Sequence, residues 1–384
     1  MKKRIVFLMS DTGGGHRAAA EAIRYALIER HGEDALETEM IDVYRKMRYP
    51  TNKMPEFYPW VVNNAVPLWT LTYRVGDTVP TSRFFAEVAY WSNRNRLRRM
   101  VTEHPADLVV CVHSVIARPS MDAYMSFPKR PPFVTVVTDL VTTPFFWYDK
   151  RVDRCLVPTQ EAYDRGITCG LHHNQLRVTG LPVHPQFNRA LTDKDIAREA
   201  LGWDPLLPTV TLIAGGDGMG QLYEQTKAIV SRGLPCQIAV VAGRNKHLQR
   251  KLEQARAQWQ HPQPIHVYGF VKEMPRLMAA TDFLVTKAGP ATISEAAIAG
   301  LPMIISDAIP GQEDGNVTLV VENGAGVFAP QPSEVADTLE RWISGGPELL
   351  AQLSDAARRV AHPDAVWDIA DEVWQYAQRE FVAT

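Results

Sequence analysis

Ser10-Asp11-Thr12-Gly13-Gly14-Gly15-His16-Arg17 joins a short apolar run, Ile5 to Met9, to a segment with helical spacing. Three successive glycines let a backbone approach a ligand closely, and the amides that open the following helix favour an anion. Neither the Gly-Lys-Ser/Thr ending of a P-loop nor the glycine spacing of a dinucleotide fingerprint is present. His16, at the end of the loop, is either a general base for a hydroxyl or a histidine that only fastens the loop. A second glycine loop, Ala214-Gly215-Gly216-Asp217-Gly218-Met219-Gly220, resembles many α/β connections and specifies little alone. Thr286-Lys287-Ala288-Gly289-Pro290-Ala291-Thr292-Ile293-Ser294-Glu295 says more, because it closes a strand and opens a helix with Pro near its start. A diphosphate fits that helix terminus. Glu295, one turn further in, either accepts hydrogen bonds from ribose hydroxyls or simply favours the helix dipole. Pro310-Gly311-Gln312-Glu313-Asp314-Gly315-Asn316 sets amide and carboxylate groups between glycines, a set that recognises sugar hydroxyls or forms a capped polar turn.

Loops of this kind need rigid elements to hold them. Apolar runs rich in β-branched residues recur at Arg4 to Met9, Asp107 to His113, Phe133 to Thr138 and Val152 to Val157, separated by helical spacing. In the first intervening helix, Ala19, Ala22, Ile23, Ala26 and Leu27 make one apolar stripe. The pattern restarts after Pro208 with Thr209 to Ala214, Gln237 to Ala242, Ile265 to Tyr268, Asp282 to Thr286 and Met303 to Ser306. An α/β fold of two Rossmann-like, doubly wound domains facing across a cleft follows, with ligands at the carboxyl ends of the strands. The expected domains are residues 1–180 and 181–360. The hinge falls in 180–208, and a terminal helix within 361–384 packs back on the first domain. Trp342, Trp367 and Trp374 read as core residues of the closing helices.

A chain of 384 residues with 46% hydrophobic side chains can build two such cores. Cys111, Cys155, Cys169 and Cys236 form no C-x-x-C pair, so they read as reduced and buried rather than as a disulfide or zinc framework. No apolar run approaches the roughly 18 residues of a membrane span, and Ile5 to Met9 is too short for a signal peptide core. The net charge of −2 hides an asymmetry. From Tyr44 to Met100 there are ten Lys or Arg against three acids, together with eleven aromatics that include Trp60, Trp69, Phe84, Phe85 and Trp91. That basic aromatic insertion, about residues 44–100, suits a membrane interface or nucleic acid by composition, or is an ordinary helical insertion with solvated charges.

Taken together, Ser10 to Arg17, Gly215 to Gly220, Val241-Ala242-Gly243-Arg244-Asn245-Lys246, Tyr268-Gly269-Phe270-Val271, Thr286 to Glu295 and Gly311 to Asn316 occur in the order found in monogalactosyldiacylglycerol synthases. Related processive diacylglycerol glucosyltransferases share most of them. The sequence resembles this family, which is glycosyltransferase family 28-like, over nearly its whole length. The resemblance implies a GT-B fold and inverting transfer of a hexose from a UDP-sugar to 1,2-diacylglycerol, giving a β-monoglycosyldiacylglycerol. It makes His16 the base and puts Gly14, Gly15, Gly216, Gly218 and Met219 near the donor. Arg244, Phe270 and Val271 would face uracil; Gly289, Pro290, Ala291 and Thr292 would hold the diphosphate, and Glu295 the ribose. Gln312 with Glu313 would meet the hexose and Asn316 would also bind the UDP-sugar, with Glu313 also assisting catalysis electrostatically. No cofactor or metal is implied, since amide donors can stabilise the leaving UDP.

The expected partners are a UDP-hexose, diacylglycerol and anionic membrane lipids, with no nucleic acid. The expected location is cytoplasmic, bound peripherally to the inner face of the cell membrane. The motif wording from Thr286 to Asn316 leans to galactose, with glucose as the other candidate. Trp60, Trp69, Phe84, Phe85, Trp91, Phe145, Phe146 and Trp147 are the candidate acceptor and membrane contacts. One departure stands out: the family pattern has a histidine shortly before the tryptophan that follows Thr-Asp-Leu, and Thr138 to Trp147 has none. The alternatives are a polyprenyl-linked lipid acceptor, a UDP-sugar 2-epimerase on the same scaffold, and a non-catalytic UDP-sugar sensor.

Overall fold

The structure, a computed structural model, describes residues 2–12, 14–57, 77–189, 194–213 and 221–384. They divide into two compact units, Met1–His184 with Pro310–Gln312 and Asp364–Thr384, and Pro185–Ile309 with Glu313–Pro363. Each unit is built on one parallel six-stranded sheet.

In the first unit the strands lie in the spatial order Leu36–Asp42, Lys3–Met9, Leu108–Cys111, Phe133–Val136, Arg154–Val157 and Leu176–Val178. The middle strands are continuous apolar runs because helices cover both faces of the sheet. On one face the helix Gly15–His31 buries Ala19, Ala20, Ala22, Ile23, Ala26 and Leu27, and the helix Ala365–Ala377 packs beside it through Val366, Ile369, Ala370 and Val373. Burying Ile23 and Leu27 contributes roughly 1.5–3 kcal/mol each, and the four alanines let the helix lie close against its sheet. The terminal helix is also fixed by charge: Glu372 accepts from Arg154 at 2.9 Å and from Arg177 at 2.8 Å. On the other face lies the long helix Val79–Glu103. It buries Ser82, Ala86, Tyr90, Asn93, Leu97 and Met100 and leaves Phe84, Phe85, Val88 and Trp91 exposed.

In the second unit the order is Ile265–Tyr268, Gln237–Val241, Thr209–Ile213, Phe283–Lys287, Met303–Asp307 and Gly326–Phe328. Its core includes Trp342, which packs on Phe283, while Trp367 and Trp374 pack against the core of the first unit. The four cysteines are free and buried. Desolvation pushes the thiols of Cys111, Cys169 and Cys236 up to about 12, which keeps them protonated and unreactive. Among the described residues, no helix is long and apolar enough to cross a membrane.

Both sheets reverse their winding direction beside their first strand. In such sheets a crevice opens outside the carboxyl ends of the two strands that flank the reversal, because the connections leave in opposite directions. In the first unit that point lies between Lys3–Met9 and Leu108–Cys111. In the second it lies between Thr209–Ile213 and Phe283–Lys287.

Candidate functional site

His16 stands at the first of these points. The strand Lys3–Met9 ends at buried Ser10, and the helix that carries His16 begins at Gly15. A Cβ added to Gly14 or Gly15 would meet nothing within 4 Å, and neither glycine has a positive φ. Protein packing and backbone strain therefore do not demand glycine here, whereas the approach of a ligand to the backbone would. Arg17 closes the loop by a bidentate pair with Asp11, at 2.7 and 2.9 Å.

The imidazole of His16 is half-buried. Its Nδ1 lies 2.9 Å from the Val112 carbonyl and 2.9 Å from Thr138 Oγ1. A carbonyl only accepts, so Nδ1 carries the proton and Nε2 carries the lone pair. Burial lowers the pKa of His16 to about 4, against an opposing contribution from the Val112 hydrogen bond. The ring is neutral, in one tautomer, at any physiological pH. His113, from the end of the neighbouring strand, lies against it with ring centroids 4.3 Å apart. Trp147 is 6.5 Å away. His113 was not legible as a site residue from the sequence. The only signal was its place at the end of an apolar run, and strand order alone puts it next to His16.

Trp147 corrects an expectation. Expected among the acceptor and membrane contacts, it is instead 0% exposed, and its indole donates to Asp139 at 2.6 Å. It is a core residue behind His16. Phe145 and Phe146 are half-buried, and the Arg165 guanidinium stacks 4.1 Å from the Phe145 ring. Phe84, at 60% exposed, and Trp91, at 64%, are open to solvent together with Phe85. Trp60 and Trp69 lie outside the described residues, as do Gly216, Gly218 and Met219.

In the second unit, Gly289 is the N-cap of the helix Pro290–Ala299 and has no side-chain cap. Pro290 occupies the first helical position, and the amides of Ala291 and Thr292 have no acceptor within the helix by its geometry. Lys287 ends the preceding strand, and its Cε lies 3.5 Å from where a Cβ on Gly289 would stand. An ammonium and the positive end of a helix thus share one crevice. Glu295 is half-buried, and desolvation raises its carboxyl to about 8, so at neutral pH it can donate as well as accept.

Two residues behind this crevice differ from expectation. Glu313 is 3% exposed; its carboxylate accepts from Lys287 Nζ at 3.2 Å and from the Ile309 amide at 2.9 Å. Asn316 is likewise buried, and its amide donates to the Ala288 carbonyl at 2.9 Å. Both side chains support the crevice rather than face out of it, because a buried carboxylate or amide must spend its valences on nearby partners. Gln312 is half-buried. Lys287, inside the Thr286 to Glu295 motif but not expected as a site residue, is the side chain that Glu313 holds, while Asn316 fixes the backbone next to it. Further along, the neighbouring strand ends Val241 and Tyr268 bring Arg244 and Phe270 together, with the guanidinium 4.8 Å from the ring centroid and Val271 half-buried beside them. Among the described residues no group of three or more His, Cys, Asp or Glu could hold a metal ion.

Monogalactosyldiacylglycerol synthase 2, chloroplastic, of Arabidopsis thaliana is 39% identical over 390 residues, covering 98% of this chain and 81% of its own. The corresponding enzyme of Spinacia oleracea, also named chloroplastic, is 37% identical, covering 97% of this chain and 72% of its own. The chain belongs to the monogalactosyldiacylglycerol synthase family. The family model for monogalactosyldiacylglycerol synthase matches residues 16–183, beginning at His16, and that for the glycosyltransferase family 28 C-terminal domain matches 216–359. This member is a glycosyltransferase with the GT-B fold.

Solved structures of the same fold include Acinetobacter baumannii MurG, at 14% identity and TM-score 0.61, covering 98% of this chain and 100% of its own. Anabaena Alr3699/HepE in complex with UDP and glucose follows at 15% identity and 0.57, covering 97% and 99%. A UDP-N-acetylglucosamine 2-epimerase matches as well as either, at 14% identity and 0.59, covering 99% and 98%. The scaffold therefore does not separate transfer from epimerisation; family membership does. The comparison also overturns the expected location at the inner face of the cell membrane, because the Arabidopsis and spinach relatives are chloroplastic by name.

Proposed function

We propose that this glycosyltransferase moves a hexose, galactose in preference to glucose, from a UDP-sugar to the free hydroxyl of 1,2-diacylglycerol, with inversion at the anomeric carbon. The observation that carries the reading is the state of His16: neutral, Nδ1–H held by Val112, and the lone pair on Nε2, at the sheet's topological switch point. His16 Nε2 takes the hydroxyl proton as the glycerol oxygen bonds to the anomeric carbon, and the bond to the UDP oxygen breaks on the opposite face. An α-linked donor then gives a β-glycoside.

In the second unit, the amides of Ala291 and Thr292 with Lys287 receive the diphosphate, whose charge grows as the bond breaks. Gly289 and Pro290 allow its close approach. Glu295 bonds the ribose, Arg244, Phe270 and Val271 bracket the uracil, and Gln312 meets the hexose, while Glu313 and Asn316 hold this apparatus in place. No metal is needed for these steps. The relatives' names support diacylglycerol as acceptor and galactose as the sugar.

A water-insoluble acceptor has to be collected from a lipid surface. The exposed stripe Phe84, Val88 and Trp91, with Phe85 beside it and Arg94 stacked 5.1 Å over Trp91, suits docking at an interface rich in anionic headgroups. The test is single-turnover transfer from labelled UDP-galactose and UDP-glucose, separately, into diacylglycerol in anionic liposomes containing EDTA, alongside His16→Ala. Labelled monoglycosyl lipid from one donor, lost in the variant, supports the reading. UDP binding without lipid product from either donor sinks the acceptor, and a 2-epimerised sugar nucleotide would replace the reading altogether.

A further inference from the structure

His113 has no part in the mechanism above, yet it is 5% exposed and lies against the group that mechanism depends on. Its Nε2 is 2.8 Å from Thr12 Oγ1, at the entrance to the glycine loop. Its Nδ1 is buried with no hydrogen-bond partner. Tyr44 meets the ring edge-on at 5.7 Å. A histidine that served packing alone would be costly here, since an unpaired buried ring nitrogen loses its hydration, while Leu or Phe would fill the same space without that loss.

We propose that His113 is a positioning residue for the transfer: through Thr12 it fastens the glycine loop, and with its ring it backs the His16 imidazole in the single orientation that keeps Nδ1 on the Val112 carbonyl. The inference rests on His16 as the base. The arrangement has three anchors on three strand ends. Thr12 follows the first strand, Val112 and His113 follow the strand beside it, and Thr138, bonded to both His16 and the Val112 carbonyl, follows the third. Of the titratable groups on the surrounding elements, Tyr44 meets His113 directly, Asp139 is held by the Trp147 indole, and Asp11 is paired with Arg17, its amide donating to Asp42. With the ring of His113 in place, water is kept from one face of His16. Without it, the imidazole gains both a second rotamer and a hydrated face, and a small misplacement of a catalytic group is enough to lower a rate about a hundredfold.

The experiment uses the full chain with His113→Ala, His113→Gln and Thr12→Val, and reads kcat, KM for donor and acceptor, the acid limb of kcat/KM and thermal unfolding. The Ala variant is expected to lose about 10- to 100-fold in kcat with the donor KM within about twofold, and to move its acid limb up by about one pH unit as water reaches His16. The Gln amide reaches the Thr12 hydroxyl and is expected to restore much of kcat, while Thr12→Val shifts both readouts in the Ala direction by less. A folded His113→Ala protein with unchanged kcat and acid limb overturns the proposal. So does a loss that raises both KM values in parallel and is not relieved by Gln, which is the pattern of simple unpacking. If the Ala variant does not fold, Thr12→Val decides, and an unchanged acid limb there counts against the proposal. Transfer that survives His16→Ala would instead defeat the base assignment itself, whatever His113 does.

Discussion

The state of His16 makes the pH dependence of this enzyme unusual, and the effect can be sized. A histidine base works only when neutral, so kcat/KM rises with pH through its pKa and is flat above it. Burial lowers that pKa to about 4, well below the ordinary imidazole range. At about pH 5.5 a group titrating near 4 is about 97% neutral, whereas an unshifted imidazole is about 9% neutral, roughly a tenfold difference in active enzyme. Transfer in diacylglycerol liposomes should therefore hold its plateau down to about pH 5 and fall only toward 4.

The assay is single-turnover kcat/KM between about pH 3.5 and 8, with each sample returned to neutral pH afterwards so that acid inactivation is not mistaken for titration. NMR of labelled histidine, with the His16 resonance assigned by its absence in His16→Gln, identifies the group directly. His16→Gln should lose about 10²- to 10⁴-fold in kcat, the span of a general base, equivalent to roughly 3–5 kcal/mol. An acid limb near 6.5, or a His16 resonance that titrates there, would refute the reasoning, because the hydrogen bond to Val112 would then outweigh burial.

Three further outcomes are expected. Glu295→Gln should keep UDP affinity within about threefold, because the raised carboxyl is already neutral, while Glu295→Ala loses about tenfold by calorimetry. A carboxyl whose folded pKa lies above its unfolded value contributes stability that is full below about 4.5 and lost as pH rises through about 8, so Glu295→Gln should raise Tm at pH 8 and change it little at pH 4. Lys287→Met should weaken UDP binding by about tenfold or more, whereas Glu313→Ala should mainly destabilise the fold, since it leaves the Ile309 amide and Lys287 without their shared carboxylate; urea unfolding and UDP titration separate the two effects. Phe84→Asp combined with Trp91→Asp should abolish flotation with anionic liposomes while UDP affinity stays unchanged, and retained flotation would remove that face from the docking surface.

The sequence by itself determined the two doubly wound sheets, because strands buried on both faces, such as Phe133–Val136 and Gln237–Val241, must be continuous apolar runs and read as such in one dimension. It did not show the edge strands Leu36–Asp42, Leu176–Val178 and Gly326–Phe328. These three are short or carry charges such as Glu37 and Glu39 and so lack the run that marks a central strand, whereas the fourth edge strand, Ile265–Tyr268, keeps an apolar run and was legible. Motif chemistry was equally local: glycines before a helix, a Pro at a helix start and a histidine at a loop end are legible wherever they occur.

What only the tertiary structure decided is which groups face outward. Trp147 and Phe146 are neighbours in sequence, yet Trp147 is the larger core residue, fixed by a bond to Asp139 that no spacing rule foretells. Glu313 and Lys287 are 26 positions apart and neutralise one another only because the loop that carries Glu313 follows the strand beside the one Lys287 ends. His113 reaches Thr12 and His16 across about a hundred residues for the same reason. Residue type and spacing set what chemistry is available, but the order in which parallel strands pair sets which residues meet, and with them whether a histidine is a charged surface group or a neutral base.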